Sequence, residues 1–304
     1  MADGAVRRLP LKFQIGARTL ATIPRHLVRV SFSLDAVLAA TPTILPPLPD
    51  DADGYLVTSL PELMLAGLDR HGLLAFVRQH YVRYHIDLAA GEAAWLAGLS
   101  GSARSGIKRK AKKLAAANDG VLDIRRYHDV AAFADFLPLA RAVSATTYQE
   151  KLLGSGLPDD TASVRHLESL AAQDRVRAWL AFIAGVPVAY LCCTADGDSL
   201  CYTYVGHDPA HNDLSPGAVL QVEALRALFA EKRFARFDFT EGEGQHKRQF
   251  STGGTACADV LLLRPTLANR VTVMALQTFD RVIATAKRAA THPALATLAK
   301  KIRR

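Results

Sequence analysis

An α/β fold with a mixed sheet is predicted, and three observations in the second half of the chain predict it. Arg177–Ile183, Val188–Thr194 and Ser199–Val205 are short apolar runs separated by the turn formers Gly185-Val186-Pro187 and Asp196-Gly197, the pattern of an antiparallel meander. Val219, Leu220, Val222, Leu225, Leu228 and Phe229 then recur at helical spacing. Ala235–Phe239 follows as a strand, and a right-handed strand–helix–strand crossover sets it parallel to Ser199–Val205. Two parallel neighbours at the end of a meander splay apart, which frees backbone groups to bind an extended ligand.

At 304 residues the chain exceeds one domain of about 100–150 residues, so two are expected. Hydrophobic residues make up 50% of it, enough for a sizeable core and too many for a disordered chain. The formal charge of +8 gathers between Arg104 and Lys113 and after Arg264, which points to an anionic partner. Four cysteines (Cys192, Cys193, Cys201, Cys257) lack metal-ligand spacing, so no metal is expected. A two-residue turn at Asp196-Gly197 sets Thr194 opposite Ser199 and Cys192 opposite Cys201, and buried free thiols are expected rather than a disulfide. No apolar run is long enough to span a bilayer, and the N-terminus lacks the apolar core of a secretory signal, so the expected location is cytoplasmic.

In chain order, Leu11–Ser33 alternates as two or three short strands around Gly16 and Pro24. Thr41–Gly54, with four prolines and Asp50, Asp51 and Asp53, is a surface loop. Glu62–Asp69 and Leu73–Gln79 are compatible with helix, and His80–Leu88 alternates as a strand in which His80 and His85 are ordinary satisfied histidines. Glu92–Leu99 is a short helix. Ser100 or Ser102 caps a second helix that stops at Asn118-Asp119-Gly120. On it Arg104, Lys108 and Lys112 share one face beside Arg109 and Lys113, which makes either a solvated basic helix or a docking face for an anionic substrate. Val121–Arg126 is a strand, Asp129–Ser144 a helix, Tyr148–Asp160 a loop or short helix, and Thr161–Ala172 a helix; Ala256–Leu263 is the last strand.

The stretch from Tyr202 to Phe250 carries the densest signals. Ser215 is placed as an N-cap, Pro216 at the first helical position, and Gly217 allows close backbone approach; a strand feeding such a helix start is a phosphate site. At the end of the next strand Asp238, Glu241, Glu243, His246, Lys247 and Arg248 crowd together around Gly242 and Gly244. An acidic, glycine-rich solvent loop is the alternative reading of that run. Lys247 and Arg248 suit an anionic group. Tyr202 and Tyr204 alternate onto one strand face, where they line a channel or pack in the core.

Three stretches resemble the GNAT acyltransferase superfamily, in its FemABX-like and CelD-like branch of two-lobed proteins. They are GLSGSARSGIKRKAKKL (98–114), the V-G-x-D-P…L-S-P-G run from Val205 to Gly217, and FDFTEGEGQHKRQF (237–250). The likeness extends over about residues 80–265 of this chain. The resemblance implies two tandem GNAT-like lobes, a degenerate one over residues 1–125 and an acyltransferase lobe over 126–265, with a basic helical tail over 266–304. Where the family's pyrophosphate loop carries Arg or Gln, then Gly, then Gly or Ala, this chain has Asn212, Ser215 and Gly217, so only the last glycine matches. The family's Tyr-Lys pair is His246-Lys247 here.

The function that follows is transfer of an acyl group from an acyl-CoA thioester, acetyl-CoA being the type donor. The acceptor is an amine or hydroxyl of a larger molecule, saccharide-linked acceptors and polysaccharide biosynthesis included. No tightly held cofactor is implied. The cradle for the thioester comprises Tyr204, Val205, Leu214, Ser215, Pro216 and Gly217, with backbone N–H groups at Tyr204 and Val205 facing the oxyanion. Glu241, Glu243 and His246 are candidate bases and Asp238 an orienting carboxylate; Arg104, Lys108, Arg109, Lys247 and Arg248 are the substrate-binding set. Two alternatives stay open: a FemABX-type aminoacyltransferase using aminoacyl-tRNA, with RNA on the basic helix, and a catalytically inactive GNAT fold serving as a binding module. The chain is read as a monomer or homodimer.

The tail follows the 3.6 period through Val271, Met274, Ala275, Phe279, Val282, Ile283 and Ala286, with a basic opposite face and Asp280 as its acid. Pro293 breaks it before a second short helix. Packing back on its own domain, a dimer contact and peripheral attachment to an anionic membrane are the readings of that stripe.

Overall fold

The computed structural model describes residues 5–15, 18–42, 44–147, 156–242 and 244–291. Two compact units divide the chain and interleave along it: residues 1–32, 39–80 and 257–304 form one, and 33–38 with 81–256 the other. The expected boundary at residue 125 falls inside the second unit.

In the first unit, β1 (Val6–Ile15) and β2 (Arg18–Ser31) form an antiparallel ribbon, as the alternation of Leu11–Ser33 predicts. β3 (Gly54–Pro61) joins β2 in parallel, with Gly54 opposite Leu27, and β10 (Gly253–Leu263) pairs antiparallel with β3. Leu11, Leu27, Leu261 and Leu263 from this sheet meet Val273 and Leu276 of the C-terminal helix α8 (Leu267–Thr291) in one core. Arg25 fastens that helix: its Nε donates to Asn269 Oδ1 at 2.9 Å and its guanidinium also reaches the Thr272 hydroxyl. Phe13 and Phe279 pack edge to face at 5.3 Å.

This docking corrects the expected stripe. The inward face is Asn269, Thr272, Val273 and Leu276, whereas Val271, Met274 and Val282 are exposed. Asn269 and Thr272 look like solvent positions by hydropathy, but Arg25 satisfies their polar groups, which permits burial. Residues beyond Thr291, including Pro293, lie outside the described set.

A second correction concerns Leu73–Gln79. Instead of a helix, Leu74–Asp87 is one 14-residue strand, β4, and Glu62–Met64 is a single 3-10 turn. The strand's first half is pinned by a buried carboxylate. Asp259 accepts from Gln79 Nε2 at 2.7 Å and from the Ser59 N–H at 2.9 Å, with Ser59 in the left-handed region at φ 58°. Such a tertiary bond overrides local helix propensity.

The second unit orders its strands β4-β9-β8-β7-β6-β5. β5 is Asp123–Tyr127, β6 Val176–Ile183, β7 Val186–Asp196, β8 Ser199–His207 and β9 Arg236–Asp238. The meander β6–β7–β8 is antiparallel, and β8 with β9 is parallel, both as predicted. The helices are α1 (Leu34–Leu38), α2 (Glu92–Gly98), α3 (Gly101–Ala116), α4 (Val130–Ser144), α5 (Thr161–Ala172), α6 (Pro216–Glu231) and α7 (Gln245–Phe250). Ser100, Asp129 and Asp160 cap α3, α4 and α5 by accepting the N–H groups of Ala103, Ala132 and Ser163.

Each face of the sheet has its own core. One contains Trp95, Leu220, Leu225, Phe229, Phe237 and Phe239 with residues of α2, α3, α6 and α7. The other contains Phe133, Phe136, Leu167, Leu180, Tyr190 and Cys192 with α4 and α5. β6, one strand in from the β5 edge, is covered on both faces by these cores, which explains why VRAWLAFI reads as a nearly unbroken apolar run.

The β7–β8 register differs from the two-residue turn expected at Asp196-Gly197. Asp196 itself pairs with Ser199, so Gly197 and Asp198 make the turn, and Thr194 faces Cys201. An irregularity follows, because Cys193 faces Tyr202 while Cys192 faces Tyr204, leaving Thr203 as the extra residue of a β-bulge. All four cysteines are free thiols, three of them buried.

Gly54 has a steric duty here. A Cβ at this position would lie 1.9 Å from the Leu262 carbonyl oxygen. Gly54→Ala should lower the stability of the chain by about 1–3 kcal/mol, measured by urea denaturation.

Candidate active site

The site begins with a strand pair that parts. Parallel pairing of β8 and β9 starts at Ser199–Arg236 and ends at Cys201–Asp238, yet β8 continues to His207. From Tyr202 onward the β9-facing edge of β8 therefore has no strand partner among the described residues. The bulge at Thr203 also corrects the reading of the two tyrosines. Tyr202 packs against the core of Phe237 and Phe239, whereas Tyr204 packs with Tyr190 and Cys192 on the opposite face. Val205 is half-buried against the same core as Tyr202.

Past the parted strands, His207 Nε2 meets Asn212 Oδ1 at 2.6 Å, and residues Pro209–Leu214 wind as a 3-10 turn that ends at Ser215. Ser215 occupies the N-cap position but sits in the left-handed region (φ 54°, ψ 47°) and makes no side-chain cap bond. The reason is local: its carbonyl already accepts the N–H groups of Ala218 and Val219, at 3.1 and 3.2 Å. Pro216 has no N–H, and the Gly217 N–H has no acceptor among the described hydrogen bonds, so the start of α6 keeps an open donor. Gly217 is close to the His207 ring, where a Cβ would approach Nδ1 to 3.4 Å.

Lys113 of α3 ties this turn down by donating to the Asp213 carbonyl at 2.8 Å. Between α3, α6 and α7 lies a crevice of about 40 Å³, apolar along Ala103, Ile107, Val219, Val222 and Phe250, with Lys110 and Glu223 at its polar margin. The basic helix is thus partly as expected. Lys108 and Arg109 are exposed, but Arg104 is committed elsewhere: its Nη1 donates to the carbonyls of Leu96, Ala97 and Leu99, at 3.1, 3.3 and 2.6 Å, closing the end of α2.

The end of β9 separates the clustered charged residues. Asp238 is fully buried and receives Arg83 Nη2 at 2.5 Å and Nε at 3.2 Å, plus the Thr240 N–H at 2.9 Å. A carboxylate so bonded fixes the strand end rather than meeting solvent. Beside it, burial pushes the Cys201 thiol up to about 12, which keeps it protonated. Lys247 also departs from the expected anion contact: it is buried, and its Nζ donates to the Glu241 carbonyl at 2.6 Å, holding the turn in which Gly242 takes φ 91°. Glu241 itself is exposed. Glu243 lies outside the described residues. Arg248 Nε reaches the Tyr84 hydroxyl at 3.3 Å.

His246 is the candidate that the fold brings to the parted strands. Its ring lies 6.1 Å from Tyr202 and 6.2 Å from Phe239, centroid to centroid. Packing of the ring against these aromatics strips hydration, and the Lys247 charge adds to this; together they lower its pKa below the ordinary histidine value while the residue stays open to solvent. The imidazole is therefore neutral at pH 7 and able to accept a proton. Tyr202 is the opposite case, since burial raises its pKa and keeps the phenol protonated.

Gln221 was not singled out by sequence reasoning. It is 4% exposed; its Oε1 accepts from Tyr202 Oη at 3.4 Å, and its Nε2 has no partner among the described residues. The available signal was a carboxamide inside the apolar run Val219, Leu220, Val222.

Removing the carboxylate under the strand end should be costly. Asp238→Ala leaves a buried guanidinium without its counter-charge and should destabilise the chain by about 3–5 kcal/mol, readable by chemical denaturation.

Comparison with known proteins agrees with this geometry. Residues 101–248 match the acetyltransferase (GNAT) domain family. No curated protein matches the chain. Among solved structures, FemX superposes with a TM-score of 0.51 at 8% identity, covering 88% of this chain and 91% of FemX. The C-terminal domain of a putative lysylphosphatidylglycerol synthetase from Agrobacterium fabrum superposes with a TM-score of 0.50 at 10% identity, covering 74% of this chain and 71% of that one. At such identities these likenesses establish a shared fold. Residues 101–248 thus carry the acetyltransferase (GNAT) domain, within a chain whose fold is shared with FemX.

Proposed function

We propose that this chain moves an acyl group from a coenzyme A thioester to an amine or hydroxyl of a larger acceptor. The observation that carries the reading is the parting of β8 from β9 after Cys201–Asp238, with the 3-10 turn Pro209–Leu214 leading from the end of β8 to the open start of α6 at Pro216-Gly217. An extended pantetheine can pair with the free edge of β8 around Tyr204 and Val205 while its pyrophosphate meets the helix start, with Leu214 and Ser215 at the turn. Lys110 and Lys113 are the cations of α3 nearest this turn and crevice, and Lys108 and Arg109 extend the basic face beyond them.

In the chemical step the acceptor nucleophile attacks the thioester carbonyl. Neutral His246 takes its proton, and β8 N–H groups past the bulge stabilise the oxyanion. The C–S bond then breaks and the thiolate leaves. The unpaired Gln221 Nε2 is the hydrogen-bond donor on that side, its carboxamide oriented by the protonated Tyr202 hydroxyl that donates to Oε1. Glu241 on the exposed loop, with Glu243 beside it in sequence, gives the proton a way to solvent.

Aminoacyl transfer is a second reading. The missing first glycine of the pyrophosphate loop and the fold shared with FemX over most of both chains favour it. A thermal-shift series separates the two. Acetyl-CoA, longer acyl-CoAs or free coenzyme A at 100-fold their dissociation constants should each add about 2.7 kcal/mol. Stabilisation by none of them, alongside transfer from aminoacyl-tRNA, would overturn the CoA reading in favour of the second.

Thiol release from acyl-CoA, assayed with a panel of amines and amino sugars, tests the base. His246→Gln should reduce kcat by about 10²–10⁴ with CoA affinity retained. For the unsubstituted chain kcat/KM should fall on the acid side, with an apparent pKa below about 6.5 because the folded imidazole is harder to protonate. That acid limb should vanish in H246Q.

A further inference from the structure

Helix α8 is apolar on two opposite faces. One face, Asn269, Thr272, Val273 and Leu276, is buried in the first unit. On the other side Leu267, Val271, Met274 and Val282 are 79%, 58%, 65% and 59% exposed, at intervals of four, three and eight residues that keep them in one line along the helix. Thr278, also exposed, fills the gap in that line. Exposed Arg270 and Arg281 lie one residue before Val271 and Val282 and so flank the line on one side. The same helix carries Lys287 and Arg288 in its sequence, against a single acid, Asp280. That carboxylate is on the inward side, 3.6 Å from Arg78.

We propose that this outer face lies on an anionic bilayer surface, with the apolar line at acyl-chain depth and the arginines at the phosphate level. Charge decides the occupant. A second copy seated on the same face would set Arg270 and Arg281 against their own counterparts, with no free carboxylate on that face to offset them. Anionic headgroups are complementary to both, and an apolar line broken only by Thr278, beside cations on a 25-residue helix, matches the geometry of an interfacial helix. The surface is independent of the parted strands, so it can stand or fall separately from the acyl-transfer reading.

Vesicle flotation of the full chain tests this, with phosphatidylcholine alone and with phosphatidylcholine containing phosphatidylglycerol at about one part in three. The expected result is flotation with the anionic vesicles only, weakened by salt, and reduced at least tenfold in the exposed double variant Val271→Glu/Met274→Glu. A thermal melt unchanged from the parent confirms that the variant is folded; if it is not, Val271→Ser/Met274→Ser replaces it. Three results would overturn the proposal: no flotation with anionic vesicles, flotation unchanged in the folded variant, or a dimer in sedimentation that the same variant dissociates.

Discussion

Everything at the candidate site hangs on the buried pair Arg83–Asp238. It joins β4 to the last residue of β9, and the same carboxylate accepts the Thr240 N–H as the chain leaves the strand. β9 has three residues, too few to hold a position by ladder bonds alone. The pair supplies what pairing cannot: a fixed end point after which β9 turns away and β8 runs on unpaired. His246 reaches Tyr202 because the following turn is fastened in the same manner, by the Lys247 ammonium on the Glu241 carbonyl. Three buried charges, Arg83, Asp238 and Lys247, therefore do positional work, while the His246 imidazole stays open to solvent as the base of the proposed reaction.

The division of labour explains which parts were legible in the sequence. Strand and helix placement came from periodicity and local signals: Ser100 announces α3, and the crossover from β8 through α6 dictates a parallel β9. Side-chain destinations were less readable. Arg104 and Lys108 are alike in composition and share a helix face, yet one closes the end of α2 and the other is free in solvent. Asp238 and Glu241 are three residues apart, yet one is sealed and one exposed. Such outcomes depend on partners far away in sequence, Arg83 in the case of Asp238, and no local pattern reports them.

The bulge at Thr203 shows the same limit at the scale of one residue. Strict alternation puts Tyr202 and Tyr204 on one face, and a single inserted residue sends them to opposite cores. The consequence for the site is large, because Tyr202 is thereby turned toward Gln221 and His246. Helix α8 likewise carries apolar residues on more than one face, and tertiary partners, the guanidinium of Arg25 and the core around Leu11 and Leu27, select the buried one.

The interleaving of the units has a bearing on biosynthesis. The second unit closes with Ala256, whereas the first needs β10 beyond Cys257 and helix α8 to finish its sheet and core. Strands β1 to β3 leave the ribosome well before β10, so the edge of β3 stays uncovered while almost two hundred further residues are made. The sheet opened by β1 to β3 is thus completed only after the whole second unit has been made, and until then a nascent chain carries a waiting strand edge for which chaperones or a neighbouring nascent chain can compete.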